Sequence, residues 1–393
     1  MGDREFVLSL ADRLESSHGP VAAVARRRTI HALASVAKTA IDRSMLKACT
    51  PNSLSRILAT QMEATENLPT NDANESTLAA LAEHGLRLFR LPVLCAIAVT
   101  LAGFLGRVSW TFELASHFRF QCCWFLLIGG AILAVGRHWR FAMLATVFGL
   151  VNLALVAPVY FGGRVPAGSK PSLRVMSLNV LTSNRDSNEV LQTIQSTDPD
   201  IVFLYEVDEQ WMTDLEPLRE DYPHQHAVPR PDNFGIVMYS RVNFAAIEVV
   251  GLAETPAPTV LAGIDHDDER IVVIGTHVFP PAGERRFRLR NHQLKHLGQI
   301  AAECRRPTIL VGDLNVTPWS PFFTDLLRQS NLLDSRQGHG NQASWSRYGI
   351  GLPIDHCLVS PDVVVHRRWI EPVEGSDHDA VLVDISIHSA AIE

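Results

Sequence analysis

Cysteine is scarce in this 393-residue sequence, and its six cysteines show neither metal-ligand spacing nor a disulfide framework. Cysteine usage therefore leaves the cellular compartment open. Residues 1–14 carry acidic side chains and no long apolar run, so we expect no secretory signal peptide at the start of the chain. Acidic residues are almost missing from the middle of the sequence, where Glu113 is the only one between residues 86 and 170.

Basic residues are in the minority in the C-terminal part. From residue 171 onward, 18 Lys and Arg residues stand against 31 Asp and Glu residues, a net charge of −13. This part lacks the positive surface that a general nucleic-acid binder presents to phosphate backbones. Residues 86–170 carry a net charge of +7 instead. The sequence thus divides into an apolar, basic middle and an acidic C-terminal part.

Three long apolar runs lie in the basic middle. The third reaches the length of about 20 residues that a membrane span requires, whereas the first two need flanking residues to do so. Three such runs in succession predict transmembrane helices, and buried helices of a soluble protein are the alternative. The predicted helices cover about residues 91–106, 120–136 and 141–161.

Arginines flank these runs unevenly. Arg137 and Arg140 lie between the second and third runs, and Arg87 and Arg90 precede the first. The positive-inside rule places both groups in the cytoplasm, although arginines in the opposite loop reduce the bias. We therefore expect a multi-pass protein of the cytoplasmic (inner) membrane. Three crossings would put its C-terminal domain on the extracytoplasmic side.

The other regions complete the predicted organisation. Residues 1–85 predict a helical, soluble region to which no chemistry can be assigned, and residues 163–171 form a linker rich in Gly and Pro. From residue 172 to 390, short β-rich runs alternate with helical patterns, which predicts one α+β domain with two sheets packed face to face and helices outside. The predicted strands are 173–178, 201–205, 235–239, 271–276, 308–311, 355–359 and 381–385, and the predicted helices are 187–195, 209–218, 284–304 and 321–329.

Polar side chains follow several of these strands. The strand at 308–311 is followed by Asp313 and Asn315, which leave on the same face if the extended geometry persists. A carboxylate beside a carboxamide suits a hard cation and a phosphate oxygen, and an Asp/Asn turn is the alternative. The polar residues at or beside strand ends are Asn179, Glu206, His277, Asp313, Asn315, Asp355, Ser376, Asp377 and His378.

These residues stand in the ordered set LNV, YEV, GTH, GDLN, IDH and SDH. As a set, they resemble the endonuclease/exonuclease/phosphatase superfamily, over about residues 173–387. The resemblance implies the DNase I-like fold, a four-layer α/β/β/α sandwich, and hydrolysis of phosphate esters. The order of apolar runs followed by this domain resembles a bacterial membrane-anchored branch with N-terminal transmembrane helices. Tyr205 departs from the commoner glutamine before the glutamate.

The resemblance also implies roles for the matching residues. Glu206 would be the main ligand of Mg²⁺ or Mn²⁺, helped by Asn179 and Asp377. His378 would be the general base, with Asp355 accepting the other ring N–H.

Water activation and substrate binding are assigned in the same way. Asp313 would position or deprotonate the attacking water, and His277 would stabilise the phosphate or help to protonate the leaving group. Asn315 would take part in catalysis as a donor to phosphate oxygens. The substrate-binding residues implied are Asn179, Asn315, Asn233 and Tyr239.

Four other residues are open to two interpretations. Arg286 and Arg290 share a helix face and would meet either a substrate phosphate or the acidic surface of their own domain. Trp319 and Trp345 would either line the substrate cleft or fill the core.

Together these features predict a membrane-anchored, Mg²⁺- or Mn²⁺-dependent phosphoesterase. Its partners would be the lipid bilayer and a phosphate-ester substrate, and no protein partner is indicated. The apolar runs and the charge of −13 favour a lipid-linked or small phosphate ester over nucleic acid. An extracytoplasmic nuclease and a catalytically silent membrane protein that binds a phosphorylated ligand are the alternatives.

Overall fold

The computed structural model describes residues 71–162, 165, 170–253, 255–266 and 269–387. Most of the predicted N-terminal region and of the predicted linker lies outside these described residues. Residues from Glu83 onward belong to one compact unit, which holds both the apolar helices and the sheets.

Among the described residues, four α-helices precede the sheets: α1 (Asn71–Ala102), α2 (Trp110–Ser116), α3 (Arg119–Val135) and α4 (Trp139–Val156). The sequence placed a boundary at residue 85, but α1 runs through it because residues 76–91 contain helix formers and no proline before Pro92. Short 3₁₀ turns, Gly103–Leu105 and Ala157–Tyr160, follow α1 and α4.

Two of these helical segments, 77–105 and 139–160, are long and apolar enough to cross a membrane. Helices α2 and α3 meet at a bend of 61° and would make a third crossing if they counted as one span. Buried side chains hold α1, α3 and α4 together, among them Val93, Leu126 and Ala145. The second predicted span, residues 120–136, corresponds to α3, which follows α2 across this bend.

The C-terminal part contains two six-stranded sheets and a short two-stranded one. The first sheet has the order β13-β14-β1-β2-β4-β3 and the second β5-β6-β7-β8-β12-β9. The strands are β1 (Leu173–Asn179), β2 (Ile201–Tyr205), β3 (His224–Val228), β4 (Ile236–Ser240), β5 (Phe244–Gly251), β6 (Pro258–His266), β7 (Glu269–His277), β8 (Thr308–Asp313), β9 (Leu333–Asp334), β10 (Trp345–Arg347), β11 (Ile350–Leu352), β12 (Asp355–Val359), β13 (Val363–Glu371) and β14 (Ala380–Ile387).

Four α-helices cover the outer faces of the two large sheets: α5 (Ser187–Thr197), α6 (Glu209–Asp214), α7 (Glu284–Glu303) and α8 (Pro321–Ser330). Apolar residues of both sheets, such as Phe203 and Val311, form the central core. One outer core joins the first sheet to α5 and α6, and another joins the second sheet to α7 and α8. The predicted α/β/β/α layering is confirmed.

Two parallel pairs bring the important strand ends together. In the first sheet β1 runs parallel to β2, and in the second β7 runs parallel to β8. The register sets His277 opposite Asp313, while antiparallel pairing of β12 with β8 sets Asp355 opposite the same Asp313. Residues far apart in sequence therefore meet at one edge of the sandwich.

Candidate active site

A buried histidine–carboxylate pair lies at this edge. His378 Nδ1 lies 2.9 Å from Asp355 Oδ2, and the hydroxyl of Ser344 donates to the same oxygen at 2.6 Å. The other ring nitrogen of His378 lies 3.7 Å from Asp313 Oδ2. His378, Asp355 and Asp313 are all at most 5% exposed. Asp355 thus fixes the ring so that Nε2 faces Asp313.

Burial and the neighbouring charges shift the pKa values of Asp313 and His378 away from their ordinary values. Burial, with the charge of Asp355, raises the pKa of Asp313 to about 6. Burial opposes the charged form of His378, but Asp355 and Asp313 outweigh it and raise its pKa to about 10. At neutral pH the imidazole is therefore protonated. Asp355 thus favours the imidazolium form of His378, and the raised pKa of Asp313 makes this carboxylate a second candidate for accepting the proton of a water molecule.

The loop after β8 does not keep the extended geometry that the sequence suggested. Gly312 has φ 154°, and a Cβ there would lie 1.9 Å from the carbonyl oxygen of Thr276. Asn315 is left-handed, with φ 46°, and its backbone N–H donates to Asp313 Oδ1 at 2.9 Å. Asp313 and Asn315 both line the cleft because the chain turns there, which was the alternative interpretation.

Asn315 and His277 are joined. The Asn315 amide donates to the carbonyl oxygen of Val278 at 3.0 Å, and its nitrogen lies 3.3 Å from His277 Nε2. That ring nitrogen is also 3.4 Å from Asp313 Oδ2. The ring of Phe234 covers His277, with 5.2 Å between the ring centres. These contacts leave the Asn315 side chain and the His277 ring at the wall of the same cleft.

Three neighbouring residues hold the Glu206 carboxylate. Asn179 donates to Oε1 at 3.0 Å, Asn233 donates to Oε2 at 3.0 Å, and the Thr182 backbone N–H donates to Oε2 at 3.1 Å. Asn179 also donates to Asp313 Oδ2 at 3.3 Å, so it links the two carboxylates. Glu206 itself has a φ of 65°, and this strained backbone aims its carboxylate at the cleft.

A cleft of about 830 Å³ joins these groups. Glu206, Asn233, His277, Asp313, Asn315, Asp377 and His378 all line it. Asn179 and Asp355 lie one layer behind, bonded to Glu206 and His378. Asp377 accepts a hydrogen bond from the Trp345 indole at 2.9 Å, and Trp345 lines the cleft rather than filling the core.

Residues from α2 close another part of the cleft. Trp110, Leu114 and His117 line it together with the polar groups. Arg286 and Arg347 also line the cleft. The cleft therefore has an acidic part, an apolar wall and two arginine side chains.

The family model of the "Endonuclease/Exonuclease/phosphatase family" matches residues 176–378, about half of the chain. The protein belongs to this family. Its enzymes hydrolyse phosphate esters, so the assignment as a phosphoric ester hydrolase follows for the described domain. No curated protein sequence matches the chain.

Solved structures similar to this family member include three DNase I-like domains. The human Nocturnin catalytic domain with bound sulfate is 20% identical, with a TM-score of 0.47 over 56% of this chain and 96% of that one. A 3′-5′ exonuclease from Neisseria meningitidis is 20% identical, with a TM-score of 0.46 over 55% and 100%. A protein of the same family from Beutenbergia cavernae is 22% identical, with a TM-score of 0.47 over 57% and 74%.

Enzymes of this family commonly depend on divalent metals, and one group of side chains among the described residues could hold a cation. Ligand atoms of Asp313, Asp355 and His378 lie within 4.8 Å of one another. In that group, however, a protonated imidazole already donates to Asp355. Of the ligands that the sequence predicted, Glu206 and Asp377 line the cleft with carboxylate oxygens, which suit a hard cation such as Mg²⁺. Asn179 instead turns its NH2 group towards Glu206, and its Oδ1 accepts from the Leu181 N–H at 3.0 Å.

Tyr239, unlike Asn179 and Asp355, neither lines the cleft nor lies directly behind it. Tyr239 is 1% exposed and packs with Val202, Leu204 and Trp211 between the first sheet and its helices. The alternation of β4 explains this, because Ile236 and Met238 face the central core and Tyr239 therefore faces the opposite side. Its assignment as a substrate-binding residue is wrong.

Other residues behave differently from expectation or were missed. Tyr205 packs in the central core, and its hydroxyl donates to the carbonyl oxygen of Val311 at 3.1 Å. Thr182 holds Glu206 but gave no sequence signal. The contribution of α2 to the cleft could not be predicted either. Its residues lie outside the region that resembles the family, and no sequence pattern indicates that they contact the C-terminal domain.

Proposed function

We propose that this family member is a membrane-anchored, divalent-metal-dependent phosphoesterase that hydrolyses a lipid-linked phosphate ester. The observation that carries the proposal is the position of α2. This helix follows an apolar helix long enough to cross a membrane, yet Trp110 and Leu114 line the same cleft as Asp313 and His378. A phosphate bound beside these acids would keep the rest of its ester close to the apolar wall.

Large apolar side chains on the outside of the helices support the anchor. Among them are Leu101, Trp124, Ile128, Met143 and Leu150, which are 45% exposed or more. Soluble monomers rarely expose so many large apolar groups together. A lipid bilayer would cover them.

Contacts between the helices and the domain support three crossings. Arg107 Nη1 lies 2.6 Å from Asp325 Oδ2, and Gln121 donates to the carbonyl oxygen of Gly351 at 2.8 Å. If only α1 and α4 crossed, the α2 region and the domain would lie on opposite sides of the bilayer. A third crossing by α3 puts them on the same side. The arginines between α3 and α4 then favour an extracytoplasmic domain.

The site residues divide the chemistry between them. Asp313, with its raised pKa, accepts a proton from the attacking water, and the ester bond to the leaving oxygen breaks as the new P–O bond forms. The His378 imidazolium and the Asn315 amide stabilise negative charge on the phosphate oxygens. His277 would stabilise the phosphate or protonate the leaving oxygen.

Glu206 and Asp377 would hold the divalent cation, and Asn179 would support it from behind by donating to Glu206. When bound, a cation of this kind supplies positive charge to the phosphate as it reacts. Asn233 and Thr182 keep the Glu206 carboxylate in place for that purpose.

The test uses the full-length protein in detergent with Mg²⁺ or Mn²⁺. Phosphate release from a panel of lipid phosphates is compared with cleavage of single- and double-stranded DNA, with His378→Ala as the blank. We expect the wild type alone to release phosphate from a lipid phosphate. Cleavage of DNA by the wild type alone would instead make the protein a membrane-tethered nuclease, and inactivity on both would contradict the proposal.

A further inference from the structure

Arg290 of α7 forms a fully buried ion pair with the one acidic residue of the middle region. Arg290 Nη2 lies 3.0 Å from Glu113 Oε1, and both side chains are 0% exposed. The sequence suggested a substrate phosphate or the acidic surface of its own domain as the partner of Arg290. The observed carboxylate belongs to α2 instead.

Arg290 has a second partner in the candidate active site. Its Nη1 donates to the backbone carbonyl oxygen of Asn315 at 2.9 Å. Asn315 is the left-handed residue whose N–H donates to Asp313 and whose amide lies beside His277. Fixing this carbonyl fixes the peptide plane that follows Asn315, and with it the turn that presents Asp313 and Asn315 to the cleft.

Glu113 is itself held by the segment that follows this turn. The hydroxyl of Ser320 donates to Glu113 Oε1 at 2.7 Å. His117 Nε2 lies 3.2 Å from Glu113 Oε2, and the other ring nitrogen lies 2.9 Å from Thr317 Oγ1. Helix α2 therefore contacts residues 317 and 320 directly and residue 315 through Arg290.

We propose that Arg290 is a positioning residue for the turn at Asn315, and that α2, through Glu113, holds Arg290 in place. The segment between the first two apolar helices is then a supporting part of the active site. Arg290 acts through the Asn315 backbone and does not touch substrate. The proposal rests on the proposed phosphoesterase function for its activity assay only.

If the Arg290–Glu113 pair had only a structural role, the variants would behave differently. Replacing both partners of a buried ion pair with neutral residues is often harmless, whereas removing one leaves an unpaired buried charge. If mutual neutralisation were the only role, the double variant Glu113→Gln/Arg290→Gln would recover what Arg290→Gln loses. A positioning role predicts no recovery, because the shorter glutamine no longer reaches the Asn315 carbonyl.

The experiment measures kcat and KM of full-length variants with bis(4-nitrophenyl) phosphate and 4-nitrophenyl phosphate as probes. We expect kcat of the double variant to fall by about 10²-fold with KM little changed, since misplaced catalytic groups cost about this much. Glu113→Gln, which leaves the Arg290 donor in place, should lose less. Arg290→Lys should recover part of the loss. The control is Arg288→Gln, at a 71% exposed side chain on the same helix, and it should match the wild type.

Hydrogen–deuterium exchange of the segment 312–318 provides a readout that needs no activity. We expect faster exchange in the double variant than in the wild type and the Arg288→Gln control. Wild-type exchange together with wild-type kcat in the folded double variant would overturn the proposal. If the wild type cleaves neither probe, the phosphoesterase proposal is contradicted, and the exchange data alone then decide whether Arg290 positions the turn.

Discussion

The Nδ1 atom of His378 and the Oδ2 atom of Asp355, 2.9 Å apart, tie the turn before the last strand to β12 in the other sheet. Since the two sheets are joined mainly by apolar packing, this polar contact decides where the imidazole stands relative to Asp313. The pair also sets the charge of the ring, because Asp355 favours the imidazolium. The contact with Asp355 therefore determines both the orientation of the His378 ring and its tendency to hold a proton.

The activity should depend on pH at both ends of the range. We expect kcat/KM to rise through about pH 6, as Asp313 ionises, and to fall as the pH approaches about 10, where His378 loses its proton. The measurement is kcat/KM from pH 4 to about pH 10.5 on a soluble probe. An acid limb near the ordinary carboxylic value of about 4 would assign the proton acceptor to a residue other than Asp313.

The stability of the fold should depend on pH through His378. Its pKa of about 10 lies above the ordinary value of 6.5, so the folded state holds the proton more tightly than the unfolded state does. This contribution is fully present below pH 6.5 and is lost as the pH rises to about 10. We expect the wild-type Tm to fall more steeply over this window than that of His378→Gln. Parallel curves would contradict the assigned pKa.

Asn233 and Tyr239, both predicted to bind substrate, should now behave oppositely. Asn233→Ala removes a donor to Glu206 and should lower kcat/KM by about tenfold, on the scale of 1.4 kcal/mol for a lost hydrogen bond to a charged group. Tyr239→Phe changes a side chain in the outer core and should leave kcat/KM unchanged. Loss of activity in a well-folded Tyr239→Phe protein would restore the first assignment.

His356 lies next to Asp355 but on the other face of β12, and it should matter for stability. Arg336 Nη2 lies 2.7 Å from its Nδ1, and its Nε2 lies 2.7 Å from the carbonyl oxygen of Val316. Burial, helped by Arg336, lowers its pKa to about 3, so it stays neutral. His356→Ala removes one partner from Arg336 Nη2, which keeps Asp334, and the hydrogen bond to the Val316 carbonyl oxygen. We expect it to lower the free energy of unfolding by about 3 kcal/mol. Wild-type thermal stability in this variant would rule out the role.

The sequence predicted the central strands well, because a strand that is buried along its whole length appears in the sequence as a short apolar run. β2 and β12 are buried along their whole length, and the apolar runs predicted both with the observed bounds. β3 is half-buried throughout, and β5 alternates irregularly between half-buried and exposed residues. Both lie at sheet edges, where pairing with β4 or β6 rather than apolar composition makes the strand.

The candidate site was predictable to a similar extent. The polar residues at strand ends could be assigned to one site from the sequence, because the strand ends of a sandwich meet at shared edges. The contribution of Glu113 could not, since its partner Arg290 is 177 positions further along the chain and no local sequence pattern indicates the pairing. The contact of His378 with Asp355 was predicted from the sequence, but the approach of Asp313 to the other ring nitrogen was not, because it depends on the pairing of β8 with β12.

Cation binding should be detectable without any turnover. Mg²⁺ that binds only the folded state stabilises it, by about 2.7 kcal/mol at a hundredfold excess over Kd. We expect Mg²⁺ to raise the Tm of the wild type and to have much less effect on Glu206→Gln, which keeps the side-chain size but loses the charge. Asp355→Asn serves as the comparison, because it alters the other group of candidate ligands. If Mg²⁺ stabilised Glu206→Gln fully and Asp355→Asn not at all, the cation would belong to Asp313, Asp355 and His378, and the assignment to Glu206 would be wrong.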